Sequence, residues 1–379
     1  MASLAAASLP PSSLAAASPR DLFLAGSTLA TPPSPVVAST AAWPTAGAAV
    51  PAATVDVADY TLDASLDPLT HTVTGQGTLR WRNPGEVPVH SVYLHLYMNA
   101  FRDEKSTFMR ESGGQLRQQR FDPAAPGAID LLSLRLLPSG ATLQSRFISP
   151  DDGNAADRTL VEVPLPEPVA PGQELRLEMR WRTRLPRVFA RAGYLGTFHM
   201  VWQWFPKVAV LEPPGVRGAT VSRWNLHQYH ANSEFYSDYG SYDVTLHVPE
   251  GYVVGATGLL QEEGAEADGR HRYRFVAQGV HDFAWTADQA YRVVERRFTD
   301  AELLPVDVRL LLQRSHARFA EAYLEALHAA WLTYGKAWGP YPYPVLTVVD
   351  PPDGGDGAAG MEYPTLITGG VSAESDAPL

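Results

Sequence analysis

The sequence predicts a mainly β protein, and two observations indicate this class. Three runs, YTLDASLD, LRLEMRWR and YDVTLHVP, alternate apolar and polar residues with the period of a half-buried strand. Turn-forming clusters such as NPGE, APGQ and PEGY lie between such runs, with no helical pattern intervening. Short strands joined by turns favour an antiparallel β domain, a sandwich or a saddle-like sheet, over residues 55–295.

Each alternating run predicts which side chains face the core, because successive residues of a strand point to opposite faces. The residues predicted to be buried are Tyr60, Leu62, Ala64 and Leu66 in the first run, Leu175, Leu177, Met179 and Trp181 in the second, and Tyr242, Val244, Leu246 and Val248 in the third. The polar residues between them should face solvent.

The periodicity changes near residue 296, where a second, mixed α/β region is expected to begin. VDVRLLLQ, VLTVVD and TLIT are predicted strands. Between the first two, SHARFAEAYLEALHAAWLTYGKAW predicts an amphipathic helix with Ser315 as its N-cap. Its apolar residues, spaced three or four apart, are Phe319, Tyr323, Leu327, Ala330 and Tyr334. We expect residues 296–379 to hold only the opening elements of this domain.

Composition excludes several classes of function. The net charge of −11 argues against nucleic acid or an anionic membrane surface as the main partner. The chain has no cysteine, so disulfides, thiolate metal sites and a cysteine nucleophile are excluded. No run approaches the ~18 apolar residues of a membrane-spanning helix. Residues 1–54 are rich in Ala, Ser and Pro, which favours a disordered tail or pro-segment over a signal peptide.

Glu362 is the first candidate functional residue. It lies between a loop containing four glycines and the strand TLIT, so it could pair with the ammonium group of a ligand whose backbone approaches the loop. An ordinary carboxylate at the edge of a strand explains the same pattern. Three aspartates nearby, Asp350, Asp353 and Asp356, lack the spacing of a calcium loop and indicate a solvated acidic loop.

The histidines do not form a recognisable zinc motif. None is followed by glutamate, so the His-Glu-x-x-His pattern, which puts two imidazoles on one helical face, is absent from the sequence. His227 and His230 in HQYH come closest in spacing. In a strand-like region they would point to opposite faces, which indicates structural or surface residues.

GMEYPTLITGG resembles the Gly-x-Met-Glu-Asn exopeptidase motif of the alanyl-aminopeptidase-like zinc peptidases, peptidase family M1, in the bacterial branch where Tyr-Pro follows the glutamate. Tyr363 stands where most relatives have Asn. Four further stretches resemble the same branch in the same order, namely HLYMNAF, QWFPKVAVLE, EFYSDYGSYDVTLHVPEGYVVGATG and VHDFAWTAD. The resemblance runs in order from about Tyr60 to Gly370, most of the chain.

The resemblance implies a saddle-shaped antiparallel β domain followed by a thermolysin-like catalytic domain. It implies that Glu362 binds the α-amine of a peptide substrate, with Gly360 and Met361 beside the substrate strand. The family's zinc ligands lie C-terminal to this motif, so zinc is expected in a complete enzyme and not in this chain. The chain should then be inactive alone, with a missing C-terminal catalytic segment as its partner. The resemblance also favours a secreted or periplasmic location.

Two other functions stay open from the sequence. A non-enzymatic β-domain module that recognises proteins or peptides could derive from the same family, since a fold does not dictate its function. A carbohydrate-binding β-sandwich is a further alternative, because the nine tryptophans could form aromatic platforms as well as a core. A downstream reading frame that encodes His-Glu-x-x-His would favour the peptidase over both.

Overall fold

β-Strands make up most of the chain in this computed structural model, which describes residues 56–116 and 119–370. With 46% strand and 13% helix, the fold is mainly β, as the alternating runs predicted. The low-complexity segment 1–54 and the final residues 371–379 lie outside the described residues. No helix in the described ranges combines the length and apolar character that crossing a membrane requires.

The strands in chain order are β1 (Ala58–Asp67), β2 (Thr72–Arg82), β3 (Val89–His95), β4 (Gln115–Leu116), β5 (Gln119–Arg120), β6 (Ala128–Leu137), β7 (Ala141–Thr142), β8 (Arg146–Phe147), β9 (Leu160–Val169), β10 (Glu174–Arg184), β11 (Gly193–Leu195), β12 (Phe198–Val201), β13 (Lys207–Val208), β14 (Leu211–Glu212), β15 (Arg223–Trp224), β16 (Gly240–Pro249), β17 (Val253–Ala256), β18 (Leu259–Ala265), β19 (Arg270–Val280), β20 (Trp285–Asp288), β21 (Arg292–Phe298), β22 (Val306–Leu312), β23 (Val345–Val349), β24 (Met361–Tyr363) and β25 (Leu366–Thr368). The α-helices are α1 (Thr107–Ser112) and α2 (Ala320–Trp338), and 3-10 helices cover Tyr97–Phe101, Val216–Gly218, Arg314–Phe319 and Asp356–Ala358.

An eight-stranded sheet in the order β18-β19-β16-β1-β2-β10-β6-β7 is the largest element. All twelve residues predicted to face the core from β1, β10 and β16 are buried, which confirms the alternation in each run. Most neighbours are antiparallel, but β1 and β16 run parallel, from the pair Tyr60–Tyr242 to the pair Ser65–His247. Alternation determines which side chains are buried and carries no information about the direction of the neighbouring strand.

A second sheet has five strands in the order β21-β22-β23-β25-β24. Its three central strands run parallel, and the two edge strands are antiparallel to their neighbours. Helix α2 covers one face. The buried residues of this core are Phe298, Leu303, Val306, Val308, Leu310, Leu312, Tyr323, Leu324, Trp331 and Val348. The predicted boundary between residues 295 and 296 lies inside β21, and a division into domains there stays a prediction.

Helix α2 differs from its prediction at its N-terminus and in part of its buried face. The 3-10 turn Arg314–Phe319 precedes it, so Ser315 is not its N-cap; the cap position is Phe319, which makes no side-chain capping bond. Tyr334, expected in the apolar stripe, is 56% exposed. Leu324 and Trp331 are buried instead, because the helix is rotated so that these two side chains meet the sheet.

The other face of the five-stranded sheet packs against β17, which belongs to a four-stranded sheet in the order β11-β12-β20-β17. A Cβ atom at Gly255 of β17 would lie 2.3 Å from Leu311 Cδ1 and 3.1 Å from Thr347 Cγ2, so only glycine allows this approach. The Arg309 guanidinium also donates to the carbonyl oxygen of Val254 at 3.2 Å. The sheet that carries the candidate residues is therefore held from both sides.

Candidate functional site

The three residues singled out in the sequence lie at or beside β24, the outermost strand of the five-stranded sheet in the described ranges. Gly360 precedes β24, and Met361 and Glu362 belong to it. Gly360 has φ +73°, in the left-handed region, and its N–H donates to the carbonyl of Thr368 on β25 at 2.9 Å. Because β24 is the outermost strand, part of its backbone N–H and C=O groups face away from the sheet. An extended ligand could pair with them.

Glu362 points to the same side of the sheet as helix α2. It lies directly opposite Ile367, and residues opposite each other in an antiparallel pair share a face. Ile367 packs against the core that α2 covers. The Glu362 side chain is exposed, and within residues 56–116 and 119–370 it has no ion pair. This carboxylate is accessible to a cation from solvent.

The hairpin that follows Glu362 is anchored to the first part of the chain. Thr365 has φ +60°, an uncommon conformation for a β-branched residue, and is buried. Its hydroxyl accepts the N–H of Gly258 at 2.6 Å, and its carbonyl accepts the N–H of Thr347 at 2.8 Å. These two bonds fix the turn. They therefore also fix the orientation of β24, the strand that leads into it.

Hydrogen bonds from His316 hold the start of the glycine-rich loop. Asp350 is fully buried and accepts the Gln313 N–H at 3.0 Å and a bond from His316 Nδ1 at 2.8 Å. His316 Nε2 lies 3.0 Å from the Asp353 carboxylate. Burial lowers the pKa of His316, but hydrogen bonds and charges from the two aspartates outweigh it and raise that pKa above its usual value. The interpretation of a solvated acidic loop is therefore wrong for Asp350, although Asp353 and Asp356 are exposed.

The middle of the loop contacts residues that lie much earlier in the chain. The carbonyl of Gly357 accepts the backbone N–H of Arg191 at 2.6 Å. A Cβ atom at Gly357 would lie 2.7 Å from the Gln119 side chain, so the small residue allows close packing. Arg191 is itself held by a two-pronged ion pair to Glu234, with Nη1–Oε2 and Nη2–Oε1 distances of 2.9 and 3.1 Å.

The Tyr363 side chain packs into the core on the buried side of β24. Its ring is buried, and its hydroxyl has no hydrogen-bond partner among the described residues. Burial, followed by the charge of Asp282, raises the pKa of Tyr363 well above its usual value, so the phenol is neutral. Tyr363 thus belongs to the core, on the face opposite Glu362.

A buried ion pair lies close to Tyr363. Lys207 Nζ and Gln203 Nε2 each lie 2.5 Å from a different oxygen of Asp282. The Lys207 and Asp282 side chains are 1% and 4% exposed, so the two charges are almost dry. Burial lowers the pKa of Lys207, and the charge of Asp282 opposes that shift. The pair joins QWFPKVAVLE to VHDFAWTAD, two stretches on which the family resemblance rests.

The strand expected around His227 and His230 does not form, while the interpretation of both as structural or surface residues agrees with their contacts. The segment around them is irregular, and both rings reach the carboxylate of Asp151, at 2.8 Å from His227 Nδ1 and 2.9 Å from His230 Nε2. His230 Nδ1 also bonds Glu111 at 2.7 Å. Burial lowers the pKa of His230, and the two carboxylates outweigh it and raise that pKa. His230 therefore links Asp151 and Glu111 through its two ring nitrogens.

Zinc does not fit the residues that the structure describes. They contain no group of three His, Cys, Asp or Glu side chains placed to hold a metal ion. No family model matches the chain, and no curated protein matches it. Kinship with the M1 peptidases therefore remains a resemblance of sequence stretches.

The sequence pattern did not predict the hydrogen bonds of His316 or the Lys207–Asp282 pair. In each case the partners are far apart along the chain, with His316 and Asp350 separated by 34 positions and Lys207 and Asp282 by 75. The one signal in the sequence was an aspartate at the end of a buried-type strand, at Asp350, where a carboxylate would need a partner.

Proposed function

We propose that this chain binds the free amino end of a peptide along β24, as the substrate-positioning part of a zinc metallopeptidase of the aminopeptidase type. The observation that carries the proposal is Glu362, an exposed carboxylate without an ion pair in the described ranges, on the outermost strand of a rigidly held sheet. The convergence of several family-like stretches behind β24 supports the same proposal.

A peptide in extended conformation would add to β24 as a further strand, with main-chain hydrogen bonds supplying part of the affinity. β24 has only three residues, so few such bonds are possible. The ammonium–carboxylate pair with Glu362 would then set the register and exclude peptides without a free amine.

In such a peptidase, this chain would contribute by positioning the substrate. The role of Glu362 there would be to hold the amino end of the substrate. A fixed amino terminus places the first peptide bond at a constant distance from β24, which is how binding groups lower a barrier elsewhere in a site.

The test compares the native chain with Glu362→Gln in titrations with a short peptide and with its N-acetylated form. Exposed ion pairs contribute about 0.2–1 kcal/mol, so the variant should bind the free-amine peptide about 1.4- to 5-fold more weakly. The acetylated peptide has no cation, and its weaker binding should not change. Glu325→Gln, at an exposed carboxylate on α2, is the matched control and should have no effect.

Equal affinity for the free and acetylated peptides would refute the amine-anchoring role of Glu362. Failure of both peptides to bind would refute peptide recognition as a whole. Binding of the free-amine peptide without release of its first residue is expected of this chain under both the peptidase and the peptide-binding module, and a downstream reading frame that encodes His-Glu-x-x-His would favour the peptidase.

A further inference from the structure

One corner of the eight-stranded sheet carries an unusual run of arginines on its outer face. Arg180, Arg182 and Arg184 alternate along the end of β10 and are exposed. Their neighbours on β2 are uncharged, since Arg182 lies opposite Thr74 and Arg184 opposite Thr72. Successive guanidiniums on one face of a strand start about 7 Å apart. The corner thus presents a row of positive charges.

The carboxylates nearby do not balance that row. Asp130 on β6 is shared, with Arg102 Nη1 at 3.2 Å from one oxygen and Arg182 Nη2 at 3.4 Å from the other. Arg184 donates its Nε–H to the carbonyl of Pro126 at 3.0 Å, which leaves both Nη groups available. Neither Arg180 nor Arg184 has a carboxylate partner in the part of the chain that the structure describes.

Unlike Arg180 and Arg184, other arginines on the same face form ion pairs with carboxylates. Arg274 lies between Asp243 and Glu262, at 2.7 and 3.0 Å. Arg176, on the same strand as the basic row, pairs with Glu174 at 3.3 Å. The surplus is therefore local, in a chain whose net charge is −11.

The basic corner is also concave. A groove of about 450 Å³ is lined by Arg102, Arg182, Arg184, Asp130, Thr70 and Thr72. Three guanidiniums converge on it with one carboxylate between them. Asp67, three residues before Thr70, is turned into its own loop, where it accepts the Thr70 hydroxyl at 2.7 Å and the Leu69 N–H at 3.0 Å.

We propose that this groove binds a doubly charged oxyanion, the phosphate or sulfate group of a small molecule. The planar guanidinium matches the geometry of two oxyanion oxygens, and several guanidiniums in one groove repel each other until an anion neutralises them. The negative charge of the rest of the chain acts over longer distances, and salt at 0.1 M screens it beyond about 10 Å. The groove shares no residue with the peptide edge at β24, so the two sites can be tested separately.

The experiment is calorimetric titration of the whole chain with inorganic phosphate, inorganic sulfate and methyl phosphate at constant ionic strength, with acetate as the reference anion. Phosphate and sulfate should bind in the millimolar range or tighter, and acetate should not saturate. Arg182→Gln and Arg184→Gln should each weaken binding about tenfold, the effect of removing one charge-assisted contact. Arg176→Gln is the matched control, on the same strand and face, and should change affinity less than about twofold.

In the absence of anion, all three variants should have the same melting temperature as the native chain. This measurement separates loss of binding from loss of structure. Tighter binding of methyl phosphate than of phosphate would identify the ligand as an ester, and equal binding would identify a free anion. No saturable binding of phosphate or sulfate would overturn the proposal. Equal weakening by Arg176→Gln would also overturn it, because the attraction would then be a property of the whole surface.

Discussion

Replacing Lys207 with methionine should lower the free energy of unfolding by about 3 kcal/mol. Breaking a buried ion pair by removing one partner costs about 3–5 kcal/mol, since the remaining charge is left without compensation in a dry environment. Both side chains are at most 4% exposed. The lower end of the range applies because Asp282 keeps two donors, Gln203 Nε2 at 2.5 Å and the Phe283 N–H at 2.7 Å.

Urea unfolding followed by tryptophan fluorescence measures this change directly, because Trp202 and Trp204 flank Gln203 in the sequence and are fully buried. The double variant Lys207→Met/Asp282→Asn removes both charges and should recover part of the lost stability. Arg274→Gln breaks a part-exposed ion pair and should cost less than about 1 kcal/mol. If Lys207→Met costs no more than Arg274→Gln, the two buried groups do not act as a charged pair, and the predicted cost is refuted.

Two further predictions concern the loop and the metal. Replacing His316 with Asn should destabilise the chain mainly at acidic pH: the pKa of His316 is raised above its ordinary 6.5 in the folded state, so its stabilisation is complete below 6.5 and disappears as the pH rises through the folded value. Unfolding titrations of both chains at several pH values check this, and a difference that does not vary with pH would contradict it. The purified chain should retain no stoichiometric zinc after dialysis, as measured by elemental analysis; one zinc per chain, lost on replacing His227 and His230, would contradict that expectation.

Local patterns were sufficient for much of the fold. The alternation in β1, β10 and β16 predicted which residues are buried, because burial on one face of a strand is a property of successive residues. The parallel pairing of β1 with β16 could not be predicted in this way, since it joins residues about 180 positions apart and depends on the whole sheet. The rotation of α2, which buries Trp331 and exposes Tyr334, likewise depends on the surface it packs against.

The candidate site was predictable only in part. The glycine-rich loop and the strand after it indicated that Glu362 lies at the edge of a strand. In the structure it lies on β24, the outermost described strand of its sheet. What holds the loop was not predictable, because His316 gives no sign in the sequence that it will meet Asp350. The composition of HQYH suggested a strand with alternating faces, whereas His227 and His230 converge on one carboxylate in an irregular segment.

The carboxylate at the free edge also bears on self-association. An unpaired edge strand is a template on which a second copy of the chain can add its own β24 and extend the sheet. Antiparallel pairing centred on Glu362 would bring two negative charges opposite each other, which is unfavourable. Short length and charge therefore keep this edge open for a ligand with an ammonium group while discouraging a second identical strand, so Glu362→Gln removes a barrier to dimerisation together with the anchor.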